Sequence, residues 1–163
     1  RYSYQLTLHC YVAIIGKRMT KIMPTMITVM TPFPQIIDGK VSITQAEQLM
    51  LEHDIHHLPV IIDGVIESII SSQDLNRAKL VGHRVQPYEQ LRVGDISSTP
   101  ACFSDINDPL DKVLLRMVKL RIKAIIAVKD GEPVGIFTSH DACLKLARLL
   151  QEKFPPAEDD DAA

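Results

Sequence analysis

The sequence contains no tryptophan, and its few aromatic residues make up only 5% of the chain. Aliphatic side chains must therefore supply most of the core. Hydrophobic residues occupy 46% of the 163 positions, which is enough for one compact domain or two small, interlocked ones. The seven glycines are scattered, with no two within two positions of each other, so the sequence has no glycine-rich phosphate-binding loop.

Neither sign of charge dominates, because 18 Lys and Arg face 20 Asp and Glu for a net charge of −2. Proteins that bind nucleic acid usually carry a basic excess, so we expect no nucleic-acid partner. No apolar run approaches the roughly 18 residues that span a bilayer, and no signal-peptide pattern is evident. We therefore expect no membrane partner.

Cysteine is also scarce, and Cys10, Cys102 and Cys143 form no Cys-x-x-Cys pair. Reduced cysteines of this kind favour a cytoplasmic location.

His53 and His57 are four residues apart, a spacing that binds zinc on a helix, but His57 is expected to begin a strand and no fourth ligand is apparent. We predict no metal site. No nucleophile with a partnered base is evident, so we predict no catalytic residues and no enzyme activity.

A stretch from Gly135 to Asp141 is typical of a strand that ends in a turn and opens a helix. Thr138 suits the helix cap, and Asp141 follows three residues later in the first turn. The same hydroxyl-to-carboxylate spacing occurs 67 residues earlier, at Ser71 and Asp74. At that offset two Asp-Gly turns and two apolar helix faces also coincide, which indicates an internal duplication. The coinciding residues are Asp63-Gly64 with Asp130-Gly131, and Ile43, Ala46, Met50 with Leu110, Val113, Met117.

The pattern predicts an α+β fold of two repeated β-α-β-β-α units. We expect a strand-like appendage over 1–20, a first repeat over 21–80, a linker over 81–92, a second repeat over 93–152 and a disordered acidic tail over 153–163. Ser42 with Gln45 predicts a capping box on the first helix. Asp108 followed by Pro109 predicts a cap and a first helical residue in the second repeat.

Three motifs in this order resemble a tandem pair of cystathionine-β-synthase (CBS) domains, the Bateman module. They are Val29-Met30-Thr31-Pro32, Ile55-His56-His57-Leu58-Pro59-Val60 and the Gly135–Asp141 stretch. The resemblance covers about residues 21–152 and implies two units related by a pseudo-two-fold axis. It implies a regulatory sensor that needs no cofactor and binds AMP, ADP, ATP or an adenosyl compound such as S-adenosylmethionine.

By this resemblance, each cleft takes its hydroxyl and Asp from one repeat and its lead-in segment from the other. The first nucleotide-binding cleft would hold Thr138, Ser139, His140, Asp141, Thr31, Pro34, Ile36 and Lys123, with Lys123 near the phosphates. The second, weaker cleft would hold Ser71, Ser72, Asp74, Ser98, Ala101, Phe103 and His56.

The residues themselves leave two interpretations of the Asp141 motif open. A carboxylate can accept from the two ribose hydroxyls, and the first N–H groups of the helix can bind phosphate. Thr138-x-x-Asp141 is also close to an ordinary capping box. The Asp74 motif is expected to be the weaker site, because Ser68 replaces the glycine and could crowd a ligand, while the Glu67 carboxylate could repel phosphate.

The helix faces suggest self-association. One face carries Leu110, Val113, Leu114 and Met117, and another carries Ala142, Leu146 and Leu149. Because two small sheets cannot cover all of these side chains, we predict a homodimer. The alternative function is a ligand-free CBS-pair scaffold for oligomerisation or for a regulated protein partner, which the sequence does not identify.

Overall fold

The structure is a computed structural model that describes residues 22–155, apart from 33, 83–86, 88 and 89. The predicted appendage over 1–20 and the tail from 156 onwards lie outside the described residues. The division of the chain into 21–80, 81–92 and 93–152 stays a prediction.

The two halves of the chain repeat one order of elements. The first half contains a 3-10 turn (Met26–Thr28), strands β1 (Thr31–Pro32), β2 (Ile37–Asp38), β3 (His57–Ile62) and β4 (Val65–Ser71), and helices α1 (Ile43–Glu52) and α2 (Ser72–Gly82). The second half contains helices α3 (Val93–Ile96), α4 (Leu110–Leu120) and α5 (Ser139–Lys153), and strands β5 (Phe103–Asp105), β6 (Ala124–Lys129) and β7 (Glu132–Thr138). The predicted α+β class with two repeated units is confirmed.

The sheets interlock the two repeats. One sheet has the order β2-β3-β4, and the other has the order β1-β7-β6-β5, so β1, the first strand of the described residues, joins the second repeat. In that pairing Thr31 lies opposite Ile136 and Pro32 lies opposite Gly135. A matching bridge joins Ser68 of β4 to Pro100 of the second repeat. The lead-in segment of each repeat thus lies in the other repeat, beside the strand that precedes that repeat's second helix.

Gly135 makes the first of these contacts possible. A Cβ atom at this position would lie 2.6 Å from Sδ of Met30 and 2.9 Å from the carbonyl oxygen of Thr31. Real Cβ contacts are longer than this, so a larger residue would push β1 away from β7.

The first helix cap is as predicted, and the second is not. The Gln45 N–H donates to Ser42 Oγ at 3.2 Å, and the Ser42 N–H donates to Gln45 Oε1 at 3.3 Å, which is a capping box. The prediction for Asp108 is wrong, because its carboxylate accepts instead from the Asp105 N–H at 3.0 Å and from the Ser104 hydroxyl. Helix α4 begins after Pro109.

The first N–H of α4 is satisfied from the other repeat. The Leu110 N–H donates to the carbonyl oxygen of Pro24 at 2.8 Å, so a backbone acceptor replaces the expected side-chain cap. The lead-in segment of the first repeat therefore also anchors the start of a helix in the second.

The predicted association face of α4 is wrong in its placement. Leu110, Val113 and Met117 are only 7%, 2% and 4% exposed, and Leu114 packs against the same core. Met26, delivered by the first repeat, is fully buried in this cluster and helps to cover the face. The apolar surface that stays exposed lies elsewhere on α4 and on α5, at Leu115, Val118, Leu144, Leu146, Leu149 and Leu150.

Candidate functional site

Two capping boxes place two aspartates at the starts of α2 and α5. Oδ2 of Asp74 accepts from the Ser71 N–H at 2.9 Å and from the Ser71 hydroxyl at 2.6 Å. Oδ2 of Asp141 accepts from the Thr138 N–H at 2.8 Å and from the Thr138 hydroxyl at 2.7 Å. The cap therefore occupies one oxygen of each carboxylate and leaves Oδ1 for other donors, so capping and ligand binding are compatible in both motifs.

A cleft of about 250 Å³ opens beside Asp74, between the two repeats. The first repeat contributes His57, Ile69, Ser71, Gln73, Asp74 and Arg77 to its lining, and the second contributes Ser98, Thr99, Arg121, Ile122, Lys123 and Ala124. The predicted residues Ser71, Asp74 and Ser98 are thus brought together, with the carboxylate and the lead-in segment coming from different repeats.

Three basic side chains line this cleft. Nη1 of Arg77 lies 3.7 Å from Oδ1 of Asp74. Nζ of Lys123 donates to Oε1 of Gln73 at 2.5 Å, and Arg121 follows α4 in the left-handed conformation, with φ of 54°. Because Asp74 is the single carboxylate among the described lining residues, their net charge is positive, which suits a phosphate group.

Lys123 lines the Asp74 cleft, although the resemblance groups this residue with the Asp141 cleft. Its carbonyl oxygen accepts from the Ser139 N–H at 2.9 Å, which joins its backbone to the start of α5. Its ammonium group lies on the other side, in the Asp74 cleft. The sequence places Lys123 fifteen residues before Thr138 but contains no signal for the direction of the side chain.

The two residues expected to weaken the Asp74 site do not crowd it. The Ser68 hydroxyl is buried and accepts from the Ser97 hydroxyl at 2.8 Å. The Glu67 carbonyl accepts from the Ala101 N–H at 2.9 Å, and Glu67 is not among the residues that line the cleft. The serine is accommodated by the lead-in segment rather than by the ligand space.

His57 is a cleft residue that sequence reasoning considered only as a metal ligand. Its Nε2 atom is buried and has no hydrogen-bond partner among the described residues. Burial, and after it the charges of His56 and Lys123, lowers the pKa of His57 below its ordinary value of 6.5, although Asp74 and Asp141 oppose the shift. His57 therefore lines the cleft with an imidazole that is protonated less readily than usual and whose buried Nε2 atom has no partner among the described residues.

The remaining predicted residues are more dispersed. Thr31 lies on β1 beside β7, Pro34 is half-buried, and Ile36 is partly exposed. Ser139 begins α5, and His140 follows it as an exposed residue.

Ala101 packs against a small apolar cluster between the sheets, and Phe103 of β5 is partly exposed. His56 and Ser72 line a separate cavity with Asp54, and the Ser72 N–H donates to the His56 carbonyl.

Asp141 lines a cavity of about 240 Å³ that the sequence did not predict. Its other lining residues are Thr28, Val29, Met30, Leu144, Lys145 and Arg148. Within the described residues, no cluster of three or more His, Cys, Asp or Glu is suited to hold a metal ion. Over the same residues, no helix is long and apolar enough to cross a membrane.

Comparison with known proteins gives a consistent match. The family model of the CBS domain matches residues 27–81 and 93–148. A solved CBS domain pair of protein MJ0100, in complex with 5′-methylthioadenosine and S-adenosyl-L-methionine, is 25% identical with a TM-score of 0.66. The match covers 81% of this chain and 99% of that one.

Two curated relatives are longer enzymes. The L-aspartate semialdehyde sulfurtransferase of Methanocaldococcus jannaschii is 27% identical over 133 residues, which are 78% of this chain and 25% of that protein. The homoserine O-acetyltransferase of Methanocorpusculum labreanum is 31% identical over 140 residues, which are 85% of this chain and 26% of that protein. The chain thus spans about a quarter of the length of each.

Proposed function

The chain belongs to the CBS domain family, and from that premise we propose that it is a regulatory module that binds adenine nucleotides in the clefts between its repeats. The observation that carries the proposal is the Asp74 cleft, where a carboxylate whose Oδ1 atom is not used by the helix cap and lies 3.7 Å from Nη1 of Arg77 faces basic side chains supplied by both repeats. A carboxylate accepts from ribose hydroxyls, and the basic groups bind phosphate.

The charge of the cleft favours phosphorylated ligands. The similar domain pair of protein MJ0100 was solved with 5′-methylthioadenosine and S-adenosyl-L-methionine, which supports adenosyl recognition here. The sulfonium of S-adenosylmethionine is positive and would be repelled by Arg77, Arg121 and Lys123. We therefore expect AMP, ADP or ATP to bind this cleft more tightly than S-adenosylmethionine does.

The same contacts reverse the expected order of the two sites. Lys123 was the cation expected to favour the Asp141 cleft, and its side chain lies in the Asp74 cleft instead. The Ser68 hydroxyl, which was expected to crowd the Asp74 site, is hydrogen-bonded to Ser97, and Glu67, which was expected to repel phosphate there, is not among the described residues that line the cleft. We propose that the Asp74 cleft is the stronger nucleotide site.

Calorimetric titration with AMP, ADP, ATP and S-adenosylmethionine tests both statements. Asp74→Asn keeps one oxygen for the cap but loses the second carboxylate oxygen, which accepts from ribose hydroxyls, together with its charge. We expect this variant to bind AMP about ten- to a hundredfold more weakly. Asp141→Asn is the matched control and should change that binding less. The ranking is wrong if Asp141→Asn has the larger effect, and the function is wrong if none of the four compounds binds at millimolar concentration.

A homodimer and a regulated partner belong to the same proposal. The exposed apolar side chains of α4 and α5, including Leu115, Val118 and Leu146, offer the surface for association. Leu146 belongs to one of the two faces that the sequence suggested, and the other face, on α4, is buried. Two curated relatives carry the matching region as about a quarter of a longer enzyme, as expected if this module regulates catalysis without performing it. We propose a cytoplasmic location and neither a nucleic-acid nor a membrane partner.

A ligand-free scaffold is the second candidate. The exposed apolar surface of α5, which has no buried residue, favours it, because a helix of this kind needs a covering partner. The two candidates differ in the titration above, since a scaffold would assemble without binding any of the nucleotides.

A further inference from the structure

The cavity beside α5 differs from the two nucleotide clefts in what lines it. Asp141, Leu144, Lys145 and Arg148 follow one another at helical spacing and share one face of α5. Thr28, Val29 and Met30 of the first repeat close the opposite side. The cavity therefore lies between a helix of the second repeat and the turn that precedes β1, not between the lead-in strand and the central strands.

Comparison of the repeats shows why this cavity exists in the second one. At the offset of 67 residues, Lys145 corresponds to Ala78 of α2. Ala78 is only 9% exposed and packs in one core cluster with Val93 of α3, so α2 lies close against the short helix. A lysine cannot be buried in that way without a partner, and α5 accordingly has no buried residue. At this position the second repeat thus has a lysine that lines a cavity, where the first repeat has a buried alanine.

The charges of the lining indicate what the cavity binds. Lys145 and Arg148 supply two positive charges, and none of the ion pairs among the described residues includes either of them. Among the described residues of the lining Asp141 alone is acidic, and its Oδ2 already accepts the two hydrogen bonds of the cap. The Val29 and Met30 N–H groups both donate to the Met26 carbonyl, so side-chain cations are the main donors left.

We propose that this cavity is a second kind of ligand site, which binds a phosphate group through Lys145 and Arg148. An arginine fork together with a lysine ammonium matches the charge and the several acceptor oxygens of a phosphate dianion. The phosphate is either free or carried on a small ester. Because Asp141 lines this cavity and also lies in the first turn of α5, a phosphate bound here would contact the same residue as a nucleotide bound at the Asp141 motif.

An NMR titration of the isotope-labelled chain with inorganic phosphate, at constant ionic strength, tests the site. We expect saturable shifts of the amide signals of 28–30 and 144–148. Lys145→Gln should weaken phosphate binding by at least about tenfold. Lys153→Gln is the matched control, because it removes the same charge from the end of the same helix, where Lys153 lies over the Phe154 ring.

Further variants keep the result interpretable. Lys145→Ala introduces the residue that the first repeat carries and replaces Lys145→Gln if the latter does not fold. Arg148→Lys keeps the charge but removes the fork, and it should weaken binding less than Arg148→Gln. The proposal is overturned if phosphate shifts grow linearly without saturation, or if Lys145→Gln and Lys153→Gln titrate alike.

Titration with AMP and with adenosine distinguishes the source of the phosphate and separates this site from the proposed nucleotide function. Shifts at 144–148 with AMP but not with adenosine would assign an esterified phosphate, and shifts with inorganic phosphate alone would assign the free anion. Adenosine binding depends on the clefts and not on Lys145. If adenosine does not bind, the nucleotide proposal is wrong, and the phosphate site is unaffected by that result.

Discussion

The substitution Lys123→Gln separates phosphate recognition from adenosine recognition in the Asp74 cleft. Nζ of Lys123 lies in this cleft and donates to Gln73, so glutamine removes the charge while it keeps a polar side chain of similar reach. Adenosine carries no phosphate and should bind the variant as well as the unaltered chain. AMP should bind it more weakly, because one of three cations facing the phosphate is gone.

The expected loss follows from the exposure of the group. Unit charges about 4 Å apart interact by about 1 kcal/mol in bulk water and about 4 kcal/mol near a protein surface. Lys123 is exposed, so screening places its contribution in the lower part of that range, at about 1.5 kcal/mol. The AMP dissociation constant should therefore rise about tenfold. Added salt should reduce the difference, since exposed charges are screened.

Calorimetric titration of both ligands at two salt concentrations measures this effect. Lys129→Gln, an exposed lysine at the end of β6, is the control for a general change of net charge. An equal loss of AMP and adenosine affinity in Lys123→Gln would mean that the side chain shapes the cleft rather than binds phosphate. Unchanged AMP affinity would refute the assignment of phosphate to this cleft.

Three further predictions concern stability and assembly. Because folding lowers the pKa of His57, this imidazole takes up a proton more readily in the unfolded chain. The free energy of unfolding should therefore fall as pH drops below about 6.5. His57→Gln should flatten this pH dependence in denaturation curves. Gly135→Ala should destabilise the fold by about 1–3 kcal/mol in the same assay, because the new methyl group would collide with Met30. Leu115→Lys should shift a dimer towards monomer in sedimentation experiments, whereas Gln48→Lys, at the corresponding position of the first repeat, should not.

Local patterns predicted the caps and turns well, because their hydrogen bonds lie within a few residues of one another. The Thr138 hydroxyl and the Asp141 carboxylate are three residues apart, and they form the capping box that this spacing indicates. Asp63 and Asp130 each begin a turn with positive φ, of 49° and 52°, followed by a glycine at 87°. These conformations match the two-residue turns that join antiparallel strands.

Contacts between distant segments account for the predictions that failed. Asp108 had the spacing of a helix cap, but the Pro24 carbonyl, from the other repeat, reaches the first N–H of α4 instead. The apolar face of α4 is larger than its own sheet can cover, and Met26 of the first repeat packs against it as well. Periodicity within a helix identifies a buried stripe but does not identify the segment that covers it.

The two clefts also show how a duplication loses its symmetry while the fold is retained. The caps at Ser71 and Thr138 have kept their geometry, because each helix must satisfy its first N–H groups whatever the ligand. The lining residues have no such constraint, and at the offset of 67 residues His57 corresponds to Ala124, and Ala78 to Lys145. His57 lines one cleft, and Lys145 lines a separate cavity beside the other aspartate. We therefore propose that the positions that differ between the repeats, rather than those that match, determine which ligand each half of the chain distinguishes.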